Sequence, residues 1–188
     1  MKKFLAAGLL SVAVAQAGVF VGVQGGYDIG AGRTGSGKFD LPIYNGITQG
    51  GWSVGANAGY ELNFGLIGLR GYLQLDYSKF LEGAGADKFH NIDIDLNVDA
   101  LVNFINGGAF GMGVFVGVGA GYQYTILDTE SVGAIPLFAR AGLTFNILEH
   151  NRVDLGIKLP ITGWNINGPL DVGFYSPLKI QASYKFIF

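Results

Sequence analysis

The 188-residue sequence contains no cysteine, which rules out disulfides, thiolate metal ligands and the lipid-carrying cysteine of a lipoprotein. Charge is also scarce, at 14% of residues, and 12 Lys and Arg against 14 Asp and Glu leave no basic excess for holding a nucleic acid. Long apolar runs are missing with one exception, residues 4–15, and that run is shorter than the roughly 20 residues a membrane-crossing helix needs. It follows Met1-Lys2-Lys3 and ends at Ala15-Gln16-Ala17 before Gly18, the basic, apolar and small-residue order of a secretory signal peptide. Residues 1–17 are therefore expected to be an address, and residues 18–188 the folded domain. No segment of that domain shows the i, i+3, i+4 spacing of an amphipathic helix.

What the domain has instead is alternation. Eight runs place apolar residues on every second position, the mark of a strand with one apolar face. The fourth is the clearest, with Ile92, Ile94, Leu96, Val98, Ala100, Val102 and Phe104 against Asn91, Asp93, Asp95, Asn97, Asp99, Leu101 and Asn103. In the fifth, Met112, Val114, Val116, Val118, Ala120, Tyr122 and Tyr124 oppose a face made mostly of glycine, and the chain as a whole holds 32 glycines. Across all eight runs the apolar parity carries no charged residue, although a chance arrangement would place several there. A Lys or Arg facing lipid near the bilayer midplane costs about 2–4 kcal/mol.

A soluble β-sandwich also has apolar inward faces, but three features favour a membrane barrel. The runs reach the 9–11 residues needed to cross a bilayer at a tilt. Connections alternate between long (31–51, 79–88, 125–134, 162–176) and short (Phe64-Gly65, 106–108, 148–150), as extracellular loops and periplasmic turns do. Aromatics gather at the strand ends: Tyr27, Trp52, Tyr77, Tyr122 and Tyr124 toward the loops, and Tyr60, Phe104, Phe110, Phe145 and Tyr184 toward the turns. These are the two belts expected at membrane interfaces. The expected fold is all-β, an eight-stranded antiparallel up-and-down transmembrane β-barrel in the outer membrane of a Gram-negative cell, with lipid and lipopolysaccharide around it.

Eight strands enclose a space just wide enough for side chains, so the interior should be filled and charge-balanced. The polar parity holds Glu61, Asp76, Asp93, Asp95, Asp99 and Asp154 against Arg70, Arg140, Arg152, Lys158, Lys179 and Lys185, with Asp28 placed near the outer rim. The turn at Phe64-Gly65 sets Glu61 opposite Arg70 as a cross-strand ion pair. A turn centred at Gly107 sets Asp95 beside Gly119, and Arg140 on the far side of that glycine would reach Asp95 or Asp93. A competing reading gives the glycines only the role of easing strand curvature. One pairing of the sixth and seventh strands puts Arg140 opposite Lys158, unfavourable without a carboxylate between them.

The last residues, Tyr184-Lys185-Phe186-Ile187-Phe188, with Leu178, Ile180 and Ala182 in the same parity, resemble the C-terminal assembly signal of bacterial outer-membrane barrels. That resemblance implies Tyr184, Phe186 and Phe188 as the residues read by the outer-membrane insertion machinery. The whole domain resembles the OmpA-transmembrane, OmpX and opacity-protein architecture. Its opening Gly18-Val19-Phe20-Val21-Gly22-Val23 and its Tyr-x-Phe-x-Phe end are similar to the Helicobacter and Campylobacter outer-membrane proteins.

The expected role is that of a surface protein with a filled lumen, whose long loops bind or adhere to a host or surface ligand; recognition residues sit typically in loops on rigid scaffolds. Loop one carries Arg33, Lys38, Asp40 and Tyr44, and loop four Trp164, Phe174 and Tyr175. The alternatives are a narrow channel and a lipid A-modifying enzyme built on Asp76, Ser78 and His90; no cofactor, metal or catalytic set is expected otherwise. The signal-peptide reading is tested by N-terminal sequencing of the protein purified from outer membranes. A start at Gly18 is expected, and a start at Met1 would reject it.

Overall fold

A computed structural model describes residues 16–34, 50–80, 89–127, 130–167 and 174–188. Eight strands, β1 (Gln16–Thr34), β2 (Gly50–Asn63), β3 (Ile67–Phe80), β4 (Phe89–Asn106), β5 (Phe110–Leu127), β6 (Glu130–Ile147), β7 (Asn151–Asn167) and β8 (Phe174–Ile187), close in sequence order into an antiparallel barrel. Closure is made by β1 against β8, from Phe20↔Ile187 upward. The backbone amide of Phe188 donates to Val19 O at 2.9 Å below that pair.

Alternation separates the two environments as expected. In β4 every residue from Asn91 to Asn103 switches between buried and exposed. The outward row includes Ile94, Leu96 and Val98, each more than half exposed. Such a surface is unsuited to water and suited to hydrocarbon. At the loop end Trp52 lies beside Tyr27 in register and packs on Tyr77, ring centroids 5.9 Å apart. Tyr60, Phe104, Phe110 and Tyr184 face outward toward the turn end.

The β2–β3 turn sets Glu61 opposite Arg70 as the sequence suggests, whereas the β4–β5 turn departs from its expected centre. Gly65 takes φ +82°, the left-handed region open to glycine, and Leu148 takes φ 59° without that freedom. The β4–β5 turn is centred between Gly108 and Ala109 and not at Gly107, and a bulge between Asn103 and Ile105 takes back one residue of that displacement, so Asp95 stands opposite Gly121, not Gly119.

One boundary expectation is corrected. The third connection, expected at 125–134, shrinks to residues 128–129, because β5 and β6 stay paired from Gln123↔Ala134 to Leu127↔Glu130. Pro136 interrupts the alternation there, and Gly121 and Tyr122 lack ladder partners on β6, which hid the continuation in the sequence. β1 begins at Gln16, pairing Gln16↔Asn63 and Ala17↔Leu62, so cleavage before Gly18 would shorten it by those two pairs. Arg33 lies in β1 and Trp164 in β7, while Lys38, Asp40 and Tyr44 lie outside the described residues.

Leu96 sits mid-row on the outward face of β4. Leu96→Arg should lower the unfolding free energy in lipid vesicles by about 2–4 kcal/mol. Leu101→Arg, which points inward, should fail by overpacking instead, whatever the lipid thickness. Equal dependence of both variants on bilayer thickness would contradict the face assignment.

Candidate functional site: the charged lumen

The interior is built from side chains that the strands hold at alternate positions, and its charges are segregated by wall. Asp28, Glu61, Asp76, Asp93, Asp95 and Asp99 come from β1 to β4, whereas Arg140, Arg152, Lys158, Lys179 and Lys185 come from β6 to β8. Between the walls on one side runs β5, whose inward row is largely glycine. Among the described lumen side chains only Arg70 on β3 and Asp154 on β7 stand on the opposite wall to their kind, and they meet each other across the lumen.

Neighbours on one wall therefore repel. Asp76 lies opposite Asp93, Arg140 opposite Lys158, Lys158 opposite Lys179, and Arg152 opposite Lys185. Like charges directly opposite on adjacent strands are destabilising, and here each finds relief across the barrel. Lys179 Nζ donates to Asp93 Oδ2 at 2.7 Å and to Ser78 Oγ at 2.8 Å, with Asp28 Oδ2 at 3.7 Å and Asp76 Oδ2 at 4.0 Å. Lys158 Nζ donates to Asp95 Oδ2 at 2.5 Å and stands 4.1 Å above the ring of Phe138. Asp76 also accepts from the amides of Gln24, Gln74 and Gln181.

The middle layer is the densest. Arg70 donates through Nη2 to Asp99 Oδ2 at 2.7 Å and through Nη1 to Asp154 Oδ2 at 2.8 Å. Lys185 Nζ donates to the same Asp154 oxygen at 2.5 Å, and Tyr72 OH donates to Asp99 Oδ2 at 3.1 Å. The Arg70 guanidinium lies 5.4 Å from the Tyr72 ring and 5.2 Å from the Phe115 ring, within cation–π range. Phe20, Tyr72, Leu101 and Phe115, all nearly fully buried, fill the cross-section around it. Below, Arg152 bonds to Glu61 and, through Nε, to Asn146 Oδ1 at 2.6 Å. This pair floors a cavity of about 520 Å³ at the turn end, rimmed by Asn63, Asn106 and His150.

Two sequence expectations are corrected by this geometry. Glu61 and Arg70 are cross-strand neighbours, but Glu61 pairs with Arg152 while Arg70 turns to Asp99 and Asp154. Arg140 does not reach Asp93 or Asp95; its Nη1 donates to Gln74 Oε1 at 2.7 Å and Asn97 Oδ1 at 3.1 Å. The ammoniums of Lys158 and Lys179 occupy those two carboxylates instead. Asp28, near the outer end of the barrel as expected, is fully buried beside Lys179, so the lumen's acids outnumber its bases by one among the described residues.

Of the inward glycines of β5, Gly117 and Gly121 leave room for Asp99 and Asp95 of β4, and Gly119 leaves room for a ring. A Cβ on Gly119 would collide with the ring of Phe138, its partner on β6, and with Asn97 Oδ1. Phe115 lies against Gly142 and Gly156 in the same way. The inward parity of Phe20, Phe115 and Phe138 was readable, but single aromatics in a polar row gave no sign that they formed a layer.

The Asp76, Ser78 and His90 set is not assembled. Ser78 and Asp76 point into the lumen, whereas His90 Nδ1 lies 2.6 Å from Tyr77 OH and its ring stacks on Tyr77, on the other face of the sheet. Near the end of β8, Tyr184 OH donates to Asn151 Oδ1 at 2.5 Å, and Phe186 packs edge-on to Phe188 at 5.2 Å with His150 stacked on its other side. All three aromatics of the expected assembly signal face outward.

A closed eight-strand barrel with an apolar exterior, aromatic ends and an ion-paired polar filling defines an integral outer-membrane β-barrel protein. The profile of the Helicobacter outer membrane protein family matches residues 55–188, and the chain belongs to that family. No curated protein matches it. Among solved structures it is similar to Neisserial surface protein A, at 11% identity and a TM-score of 0.51, over 92% of this chain and 99% of that one. It is also similar to Ail, the attachment invasion locus protein of Yersinia pestis, solved in complex with the heparin analogue sucrose octasulfate. There the identity is 16% and the TM-score 0.44, over 93% and 99% of the two chains. These likenesses concern the fold.

Asp154 serves two cations, whereas Asp28 Oδ2 has no hydrogen-bond partner. Asp154→Asn should destabilise the barrel by about 3–5 kcal/mol in urea titrations from vesicles, the range for breaking a buried pair. Asp28→Asn should cost clearly less, and the reverse order would contradict the network. Gly119→Leu should lower the melting temperature, and adding Phe138→Ala should recover part of the loss; unchanged melting of the single variant would overturn the close packing described.

Proposed function

We propose that this protein is a surface-exposed binding protein of the outer membrane, in which the barrel is a non-conducting, non-catalytic scaffold and the extracellular end carries recognition. The observation that carries the reading is the middle layer. Arg70, Asp99, Asp154 and Lys185 are cross-linked by ion pairs and packed among Phe20, Tyr72, Leu101 and Phe115, which supports a plug and not a pore. Opening it would leave several buried charges unpaired, at several kcal/mol each. With the interior committed to structure, chemistry toward the outside falls to the loop end, as it does on other rigid scaffolds. The connections 35–49, 81–88 and 168–173 lie outside the described residues.

The remaining partners follow from the surface. The outward apolar rows take membrane lipid and lipopolysaccharide as their solvent, and Tyr184, Phe186 and Phe188 serve as the signal read by the insertion machinery. Residues 1–17 act as the export signal that precedes this step.

Planar-bilayer recording of the purified protein should show no stable openings, and regular unitary currents would sink the plug reading. Excising residues 36–48 or 169–172 should abolish adhesion of expressing cells to host cells or matrix, while heat-modifiable migration on gels stays as in the parent. Adhesion that survives both deletions would reject loop-based recognition.

A further inference from the structure

Among the described residues the ladders around the barrel, short interruptions such as Gly121–Tyr122 apart, run to within a residue of the outer end of at least one of their two strands, except for one. β7 and β8 are hydrogen-bonded from Asn151↔Phe186 up to Lys158↔Lys179, and there their ladder stops. Both strands go on. Residues 159–167 of β7 continue to pair with β6, as far as Gly133↔Asn167. The upper end of β8 pairs with β1 instead, through Ile29↔Leu178, Gly32↔Ser176 and Thr34↔Phe174. The wall therefore divides at its outer end into a β6–β7 ribbon and a β8–β1 ribbon, with no ladder between the two among the described residues.

The sequence supplies the cause. Counting two residues on from Lys158↔Lys179 along each strand gives Pro160 and Pro177. Had the ladder continued, these prolines would face each other, and neither has an amide hydrogen to donate. One residue further along β7 a bulge displaces Ile161, since Phe138 pairs with Pro160 and Leu137 with Thr162. The bulge turns the strand's faces over, so that Trp164 and Ile166 point outward. Below the split the like-charged Lys158 and Lys179 are adjacent but neutralised across the lumen by Asp95 and Asp93, which holds the lower ladder together.

The height of the split is set by its neighbours on β1. Lys179 pairs with Asp28, and Ile180 with Tyr27, one of the outward aromatics of the loop-side belt. Unpaired backbone groups are intolerable in hydrocarbon but acceptable where water and headgroups reach. From this geometry we infer that the barrel is open sideways between β7 and β8 at the height of the outer interface. The opening is a lateral slot whose lower limit is the Lys158–Lys179 pair and whose cause is the facing prolines. It gives the upper lumen a second approach, from the side, independent of the loops above.

The cysteine-free chain makes the test clean. Ile157 and Ile180 are an outward-facing pair below the slot. Thr162 and Ser176 are the positions that would pair above it, once the bulge at Ile161 is counted. In detergent-folded protein under mild oxidation, Ile157→Cys with Ile180→Cys should close to a disulfide, since paired strands bring Cα atoms within the required range. Thr162→Cys with Ser176→Cys should keep both thiols free, and should close after Pro160→Val and Pro177→Val are added. Heat-modifiable migration confirms that each variant is folded. An upper pair that closes as fully as the lower one in the proline-bearing protein would show the hairpin zipped and end the proposal. An upper pair still open in the valine background would overturn the role given to the prolines.

Discussion

In a bilayer's hydrocarbon no water is present to satisfy a peptide group, so every amide and carbonyl within it must find a partner in the chain. Closing β1 on β8 is the answer this sequence gives, and the rest of the structure follows from it. A sheet closed on itself has one side toward lipid and one toward a narrow interior. Period-two alternation then becomes obligatory, and a one-residue slip would turn Asp95 and Asp99 into the membrane and Leu96 and Val98 into the lumen.

Closure also explains the way charge is arranged. Once acids line β1 to β4 and bases line β6 to β8, ion pairs must span the lumen instead of joining neighbours. Each spanning contact ties two walls together, so the polar filling acts as a set of struts. Arg70 and Asp154 reverse the pattern and link β3, β4, β7 and β8 at one level. Aromatic rings occupy the spaces that inward glycines leave, as Phe138 does over Gly119, and so the filling is both ion-paired and close-packed. The slot at Pro160 and Pro177 lies where this constraint relaxes, at the membrane surface.

Much of this was legible in the residues. Strand number, order, facing and the aromatic belts follow from alternation and turn chemistry, and β4 alone shows the logic. The lumen's partners were less accessible, because sequence reasoning pairs residues equidistant from a turn, as with Glu61 and Arg70. The actual partners, Arg152 for Glu61 and Asp154 for Arg70, are distant in the chain and meet only because the sheet curls shut. A turn centred past Gly108 instead of at Gly107, only partly offset by the bulge near Asn103, was enough to move Asp95 from Gly119 to Gly121. The extension of β5 and β6 past Pro136 was hidden for a similar reason: pairing resumes after an interruption that reads locally as an end.

The partition of each strand between lipid and a filled interior is tested most directly by spin-label scanning along β4, one cysteine at a time from Asn91 to Asn103, in protein reconstituted into vesicles. Labels at Ile92, Ile94, Leu96, Val98, Ala100 and Val102 should be accessible to oxygen and shielded from a water-soluble nickel chelate. Labels at the alternate positions should be accessible to neither. Accessibility without a two-residue period, or nickel contact at the central outward sites, would contradict the account.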